Sequence, residues 1–261
     1  MLESGPLAGK DSQAPGGGSV PGATIGLGGV LCPGSGADEG RAHAADGVSL
    51  SVPPGQSVAL LSQPPGGATD LLDVIAGLTR PRSGQIWVDG VAVDRLGAAE
   101  LDRYHARRGL VSPRFPLLSS LSVTDNVLAA LLAGRVDVAT RARASWLLEL
   151  TGAAGLTGPV RRLPGEEQWR IMIARALVAA PRLVLAEDPT VSLDSRAADR
   201  VLDVLMATHA MFGFTLVLAA DLLSTAIRCQ RQVSLVNGAI VEDEITSGDD
   251  PWTRSRVDRI G

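Results

Sequence analysis

Apolar and polar positions change period repeatedly along this chain. Val48–Val52 alternates (VSLSV), as a strand with one face in the core does. Ser57–Leu61 is a short apolar run ahead of a Gly/Pro cluster and predicts a buried strand. Leu71, Leu72, Ile75 and Leu78 then recur at helical spacing and predict a helix over Thr69–Leu78. Gln85–Val93, centred on Asp89-Gly90, predicts a β-hairpin. Val123–Gly155 is helix-rich, and a further helix follows over about Glu166–Ala179. Leu183–Ala186 predicts a buried strand, Arg196–Met211 a helix and Thr215–Ala219 another buried strand. A last hairpin, Gln232–Glu242, turns at Asn237-Gly238. Strands alternating with helices imply a largely parallel sheet covered on both faces, with the helix-rich middle inserted into it.

The two ends lack this patterning. Residues 1–22 are rich in Gly, Pro and Ser and read as a disordered extension, and residues 246–261 read as a loose tail. No run reaches the roughly 18 apolar residues of a membrane span, and the start lacks the basic and apolar regions of a signal peptide. Any membrane role is therefore expected to come through a partner. The net charge of −4 gives no reason to expect nucleic acid as a partner. Lys10 is the only lysine, so arginine supplies nearly all the positive charge. Cys32 and Cys229, far apart in sequence, suggest neither a disulfide framework nor a zinc site. They read as small buried apolar residues in a reducing compartment.

Five segments stand in a telling order: AHAADGVSLSV at Ala42–Val52, LLDVIAGLTRPRSGQIWVDG at Leu71–Gly90, LPGEEQWRIMIARAL at Leu163–Leu177, PRLVLAEDPTVSLD at Pro181–Asp194 and VSLVNGAIVE at Val233–Glu242. Together they resemble the ATPase subunit of ATP-binding-cassette (ABC) transporters, most nearly the lipoprotein-releasing and macrolide-exporting branch, over about residues 24–243. The resemblance implies an α/β fold: a P-loop NTPase-like parallel core sheet, an antiparallel β subdomain and an inserted helical subdomain. The nucleotide-binding domain would span 23–245, with the helical part at about 113–165. It further implies ATP and Mg²⁺ as ligands and a membrane permease as partner. Dimerisation would be with a second copy or another ATP-binding subunit, in a cytoplasmic location, peripheral on the inner face of the cell membrane.

The phosphate-contacting positions depart from that pattern. A P-loop, G-x-x-x-x-G-K-[ST], cradles phosphates with backbone N–H groups, neutralises them with its Lys and holds Mg²⁺ with its hydroxyl. The matching stretch here runs from Ser62 to Thr69. Gly67 and Thr69 keep the glycine turn and the Mg²⁺ hydroxyl, with Gly66 beside them in the remnant, but Ala68 stands at the lysine position. Pro64 and Pro65 lack N–H groups, and Asp70 adds a negative charge close to the expected phosphate. A strand–turn–helix corner with no ligand explains the stretch as well.

After the strand at Leu183–Ala186 the family has Asp for Mg²⁺ and then Glu for the attacking water. This chain has Glu187 and then Asp188. Each exchange moves a carboxylate by about 1.5 Å, one C–C bond. A shift of about 1 Å can cost about 100-fold in rate. The alternative reading is a solvated acidic strand end. Pro113 replaces the glutamine that contacts Mg²⁺, and Ala220 replaces the switch histidine. No aromatic residue precedes Trp87 to stack on adenine. The signature L-S-G-G-[EQ]-Q reads Leu163, Pro164, Gly165, Glu166, Glu167 and Gln168. Glu166 is expected to set a carboxylate against the partner's phosphate, although acidic residues in a first turn also stabilise a plain helix. Asp194 keeps the loop that meets the partner subunit.

His209 is expected on a helix surface, and His43 and His105 in solvent. The expected function is an ABC transporter ATP-binding subunit of degenerate type, impaired in binding and hydrolysing ATP and working with a permease. A non-enzymatic scaffold or regulator and a weakly active transport ATPase remain as alternatives.

Overall fold

The computed structural model describes residues 21–33, 45–63, 67–131 and 136–246. The extension before Pro21, Lys10, His43, the P-loop residues Pro64, Pro65 and Gly66, and the tail beyond Thr246 lie outside the described residues. The strands are β1 Ile25–Leu31, β2 Val48–Val52, β3 Ser57–Gln63, β4 Ser83–Val88, β5 Val91–Ala92, β6 Arg108–Val111, β7 Leu183–Glu187, β8 Thr215–Ala220, β9 Arg231–Val236 and β10 Ala239–Ile245. The α-helices are α1 Gly67–Ala76, α2 Ala98–His105, α3 Val123–Leu128, α4 Val138–Leu150, α5 Gly165–Leu177, α6 Ser195–Phe212 and α7 Leu223–Ala226.

A six-stranded sheet in the order β10-β9-β3-β8-β7-β6 is parallel from β9 to β6, with β10 antiparallel at its edge. A four-stranded antiparallel sheet in the order β2-β1-β4-β5 lies over one of its faces. The side chains of the parallel strands divide by the two-residue period of a strand. Leu216, Leu218 and Ala220 of β8 join the core beneath α3–α6, as do Val184 and Ala186 of β7. Val217, Ala219, Leu183 and Leu185 point the other way, toward α1 and the antiparallel sheet. A strand buried on both faces reads as a continuous apolar run, which is why β7 and β8 are legible in sequence. The helices α3 and α4 pack on each other and on α5.

Three elements differ from the sequence-based expectation. β1 has no alternating pattern because glycines occupy 26, 28 and 29. Its register shifts on both neighbours between Leu27 and Leu31, and Gly29 sits at that bulge with φ +58°. A Cβ on Gly84 would lie 2.4 Å from the Gly29 carbonyl oxygen, so close backbone approach between β1 and β4 requires the small residues. α2 also escapes detection, because none of its residues is buried and no apolar stripe marks it. The helix expected at Thr69–Leu78 starts two residues earlier and ends at Ala76, with Gly77 in the left-handed region as a stop.

Two histidines are corrected. His209 is not a surface residue: it is buried on α6, packs edge-on against Phe214, and donates from Nε2 to the Gly55 carbonyl at 3.0 Å. Burial holds its pKa below the ordinary value. His105 is only half-exposed, and its Nε2 is buried without a partner among the described residues. Cys32 and Cys229 are both buried and free, and burial first of all pushes each thiol up to about 12.

Candidate functional site

In a parallel sheet, ligands gather beyond the carboxyl ends of the strands. Here register brings four such ends together. Leu61 of β3 lies opposite Ala220 of β8, Ala219 opposite Glu187 of β7, and Ala186 opposite Val111 of β6. Thus Ala220, Glu187, Asp188 and Ser112 converge on one edge, at the end of β3 and alongside α1.

Glu187 is buried, and its Oε2 is fully engaged. Ser112 Oγ–H donates to it at 2.5 Å and Arg114 Nε–H at 2.7 Å. The rest of the Arg114 guanidinium forks onto Asp73 of α1, at 2.6 and 2.9 Å. One arginine therefore ties the loop after β6 to the end of β7 and to the helix after the P-loop. These hydrogen bonds, to Asp73 first and Glu187 second, hold the guanidinium above its ordinary pKa. Sequence reasoning missed this bridge. Its three partners come from segments far apart, and the only local signal was an arginine next to the glutamine position.

Asp188, at the position of the catalytic Glu, has a left-handed φ of +36°, a region that short polar residues enter most readily. Its Oδ1 accepts from the Asp221 N–H at 3.1 Å. Burial raises its pKa to about 6, helped by the charges of Asp221 and Glu187. Ala220 is buried and offers no polar atom. Gly67 and Ala68 are buried in the first turn of α1, with Ala68 in the core cluster, and Thr69 is half-buried. Asp70 is buried rather than held out toward solvent.

The segment Gly165–Gln168 opens α5. Glu166 is not a free carboxylate aimed outward. Arg200 of α6 grips it at 2.5 and 2.9 Å and Arg170 at 2.6 Å, and the Arg200 hydrogen bond leads in lowering its pKa. Gln168 Nε2 donates back to the Leu163 carbonyl at 2.8 Å. Gly165 is tight: a Cβ there would lie 2.9 Å from Leu193 Cδ2. Asp194 caps α6 by accepting from the Ala197 N–H at 2.9 Å. The start of α1, the acidic strand end and the opening of α5 are thus described, and Glu187, Glu166 and Asp73 among them are paired within the chain.

Residues 45–191 match the ABC transporter family. The lipoprotein-releasing system ATP-binding protein LolD of Geobacter metallireducens is 37% identical over 221 residues, which cover 82% of this chain and 96% of that protein. The macrolide export ATP-binding/permease protein MacB 1 of Aeromonas hydrophila is 36% identical over 231 residues, covering 85% of this chain and 35% of that longer protein. The structure superposes on the ATP-binding cassette MJ0796, solved as a dimer in a post-hydrolysis state bound to ADP and Pi. The TM-score is 0.74 at 26% identity, over 86% of this chain and 99% of that one. Sequence order, sheet topology and these relatives agree, and the chain belongs to the ABC transporter family as an ATP-binding cassette.

Proposed function

We propose that this cassette works with a membrane permease in transport while binding and hydrolysing ATP poorly. The observation that carries the reading is the Glu187 carboxylate. At the position where the family holds Mg²⁺, it is already bonded to Ser112 and Arg114. A cation fixed to the fold stands beside the carboxylate that a metal would need, and Ala68 supplies no ammonium for phosphate. The residues present do not fit Mg-ATP well. A charge-assisted hydrogen bond lost at the lysine position is worth about 1.5–3 kcal/mol. Calorimetry with Mg-ATP tests the reading: the expected Kd is weaker than about 1 mM, a binding free energy below about 4 kcal/mol. A micromolar Kd would overturn it and restore an active transport ATPase.

The permease partner is supported by what surrounds Arg114. Among the described residues no helix is long and apolar enough to cross a membrane. Phe115 and Leu118 are 41% and 47% exposed, while Leu117 packs on the core. Their loop is nevertheless fixed. Arg175 donates to the carbonyls of Phe115 and Pro116. The buried Asn126 amide donates to the carbonyls of Leu118, Leu121 and Ser122 and accepts from the Leu118 N–H. Apolar side chains presented by a pinned loop form a docking surface at low entropic cost. A scaffold or regulator of a permease or sister ATPase draws on the same surface. Co-purification of a permease, lost on Phe115→Asp with Leu118→Asp, is the expected result. Unchanged capture by the folded double variant would remove the docking surface from the account.

A further inference from the structure

At the opposite end of the parallel sheet, where β6 and β7 begin, lies a cavity of about 540 Å³. It is separate from the edge that gathers Glu187 and Asp188, and it has the size of a small-molecule site. Four arginines line it: Arg103 of α2, Arg107 in the turn after α2, Arg108 at the start of β6, and Arg182 just before β7. Arg182 is committed, bonded to the carbonyls of Pro21 and Gly22 and paired with Asp89 at 2.9 Å. The other acidic residue in the wall, Glu100, is turned back onto the Gly97 N–H at 3.0 Å. Arg103 and Arg107 form no ion pair with any described residue.

Arg108 is the unusual member. Its guanidinium lies 5.1 Å from the centre of the Tyr104 ring. Its Nε and Nη1 are buried and have no hydrogen-bond partner among the described residues. The carboxylate nearest in influence, Asp73, is held by Arg114. Burial leads in lowering the Arg108 pKa, to about 10, as expected of a cation without a counter-charge. Leaving two guanidinium N–H groups unmet in a protein interior is costly and calls for an acceptor. The remaining wall is apolar, formed by Val88, Leu96 and Leu183. Tyr104 presents only its ring, because its hydroxyl donates to the Ile75 carbonyl at 2.6 Å.

We infer that this cavity binds a small organic anion, with a phosphate-ester or carboxylate head on Arg103, Arg107 and Arg108 and an apolar body against Val88, Leu96, Leu183 and the Tyr104 ring. The head supplies the acceptor that Arg108 lacks, and the body covers the apolar wall. Phenyl phosphate and benzoate separate the two head groups, and inorganic phosphate tests the need for a body. Titrated calorimetrically into the full chain, at least one of the two aryl anions should saturate, and it should bind at least about 10-fold more tightly than inorganic phosphate. Arg107→Glu, at an exposed position, should weaken binding by about 10-fold or more, as should Arg108→Gln. Circular dichroism and the unfolding midpoint identify any variant that has lost its fold, and Arg107→Glu then decides alone. No saturation by either aryl anion to about 10 mM, equal affinity for inorganic phosphate, or binding unchanged in the folded Arg107→Glu chain would each overturn the inference.

Discussion

Arg114→Met should destabilise the protein by about 2–3 kcal/mol, and replacing Glu187 as well should add nothing to that loss. The Arg114 side chain is 40% exposed, whereas those of its partners Glu187 and Asp73 are 10% and 14% exposed. Breaking a fully buried ion pair costs about 3–5 kcal/mol, and an exposed pair contributes about 0–1. Two nearly buried carboxylates on one half-exposed guanidinium fall between these limits. Arg114→Met leaves Glu187 with only the Ser112 hydroxyl and leaves Asp73 without its fork. Glu187→Met should cost less, about 1 kcal/mol, because Arg114 keeps both bonds to Asp73. In the double variant no unmet charge remains at β7, and the total cost should be about 2 kcal/mol. The coupling energy is then about 1–2 kcal/mol, measurable by urea unfolding of all four proteins at pH 7 with unchanged m-values. A coupling below about 0.5 kcal/mol would refute the bridge as an energetic unit.

Asp188→Asn should raise stability at pH 7 by about 1 kcal/mol, after discounting for partial solvent exposure. Because the folded pKa of about 6 lies above the unfolded value, the unfolded chain loses its proton first as pH rises. Native stability therefore falls between about pH 4 and 6 and levels off above, and the benefit of Asn should disappear below about pH 3.5. An equal gain at every pH would contradict this origin. Asn126→Ala should cost about 2–4 kcal/mol, read by thermal unfolding, since it strips a buried amide that serves one N–H and three carbonyls. A loss under about 0.5 kcal/mol would mean that the loop 114–122 holds itself. Ala68→Lys alone should yield no ATPase activity above background in a phosphate-release assay, because Pro113, Ala220 and the Arg114 bridge remain and catalytic groups act as a unit. Substantial turnover from that change would show those positions to matter little.

The parts of the fold that announce themselves in sequence are those whose burial follows a period. β7 and β8 are apolar on both faces, β2 alternates, and α5 and α6 carry apolar stripes. β1 is silent because its glycines serve backbone approach to β4 and the Trp87 ring rather than burial of side chains. α2 is silent because its outward residues touch little of the core. At the site, local order identified which positions lack their usual residues, such as Ala68, Pro113 and Ala220. It could not reveal what the remaining charges do instead. Glu166 reads as an acid facing a phosphate until Arg200, 34 residues later, is seen to hold it. Asp194 reads as an interface residue, and it also caps its own helix. Pairings of this kind depend on tertiary placement, which spacing along the chain does not encode.

The bridge from Asp73 through Arg114 to Glu187 also fixes the order in which this edge of the sheet can be rebuilt. Made first, Ala68→Lys puts an ammonium at a position buried in the core cluster, while Asp73 and Glu187 are already matched by a guanidinium. Made first, Arg114→Gln uncovers two nearly buried carboxylates before anything else is present to neutralise them. Neither single step gains stability, and the effects of joint replacement do not add. An internal cation of this kind behaves as a ratchet: easily kept, and hard to leave one residue at a time.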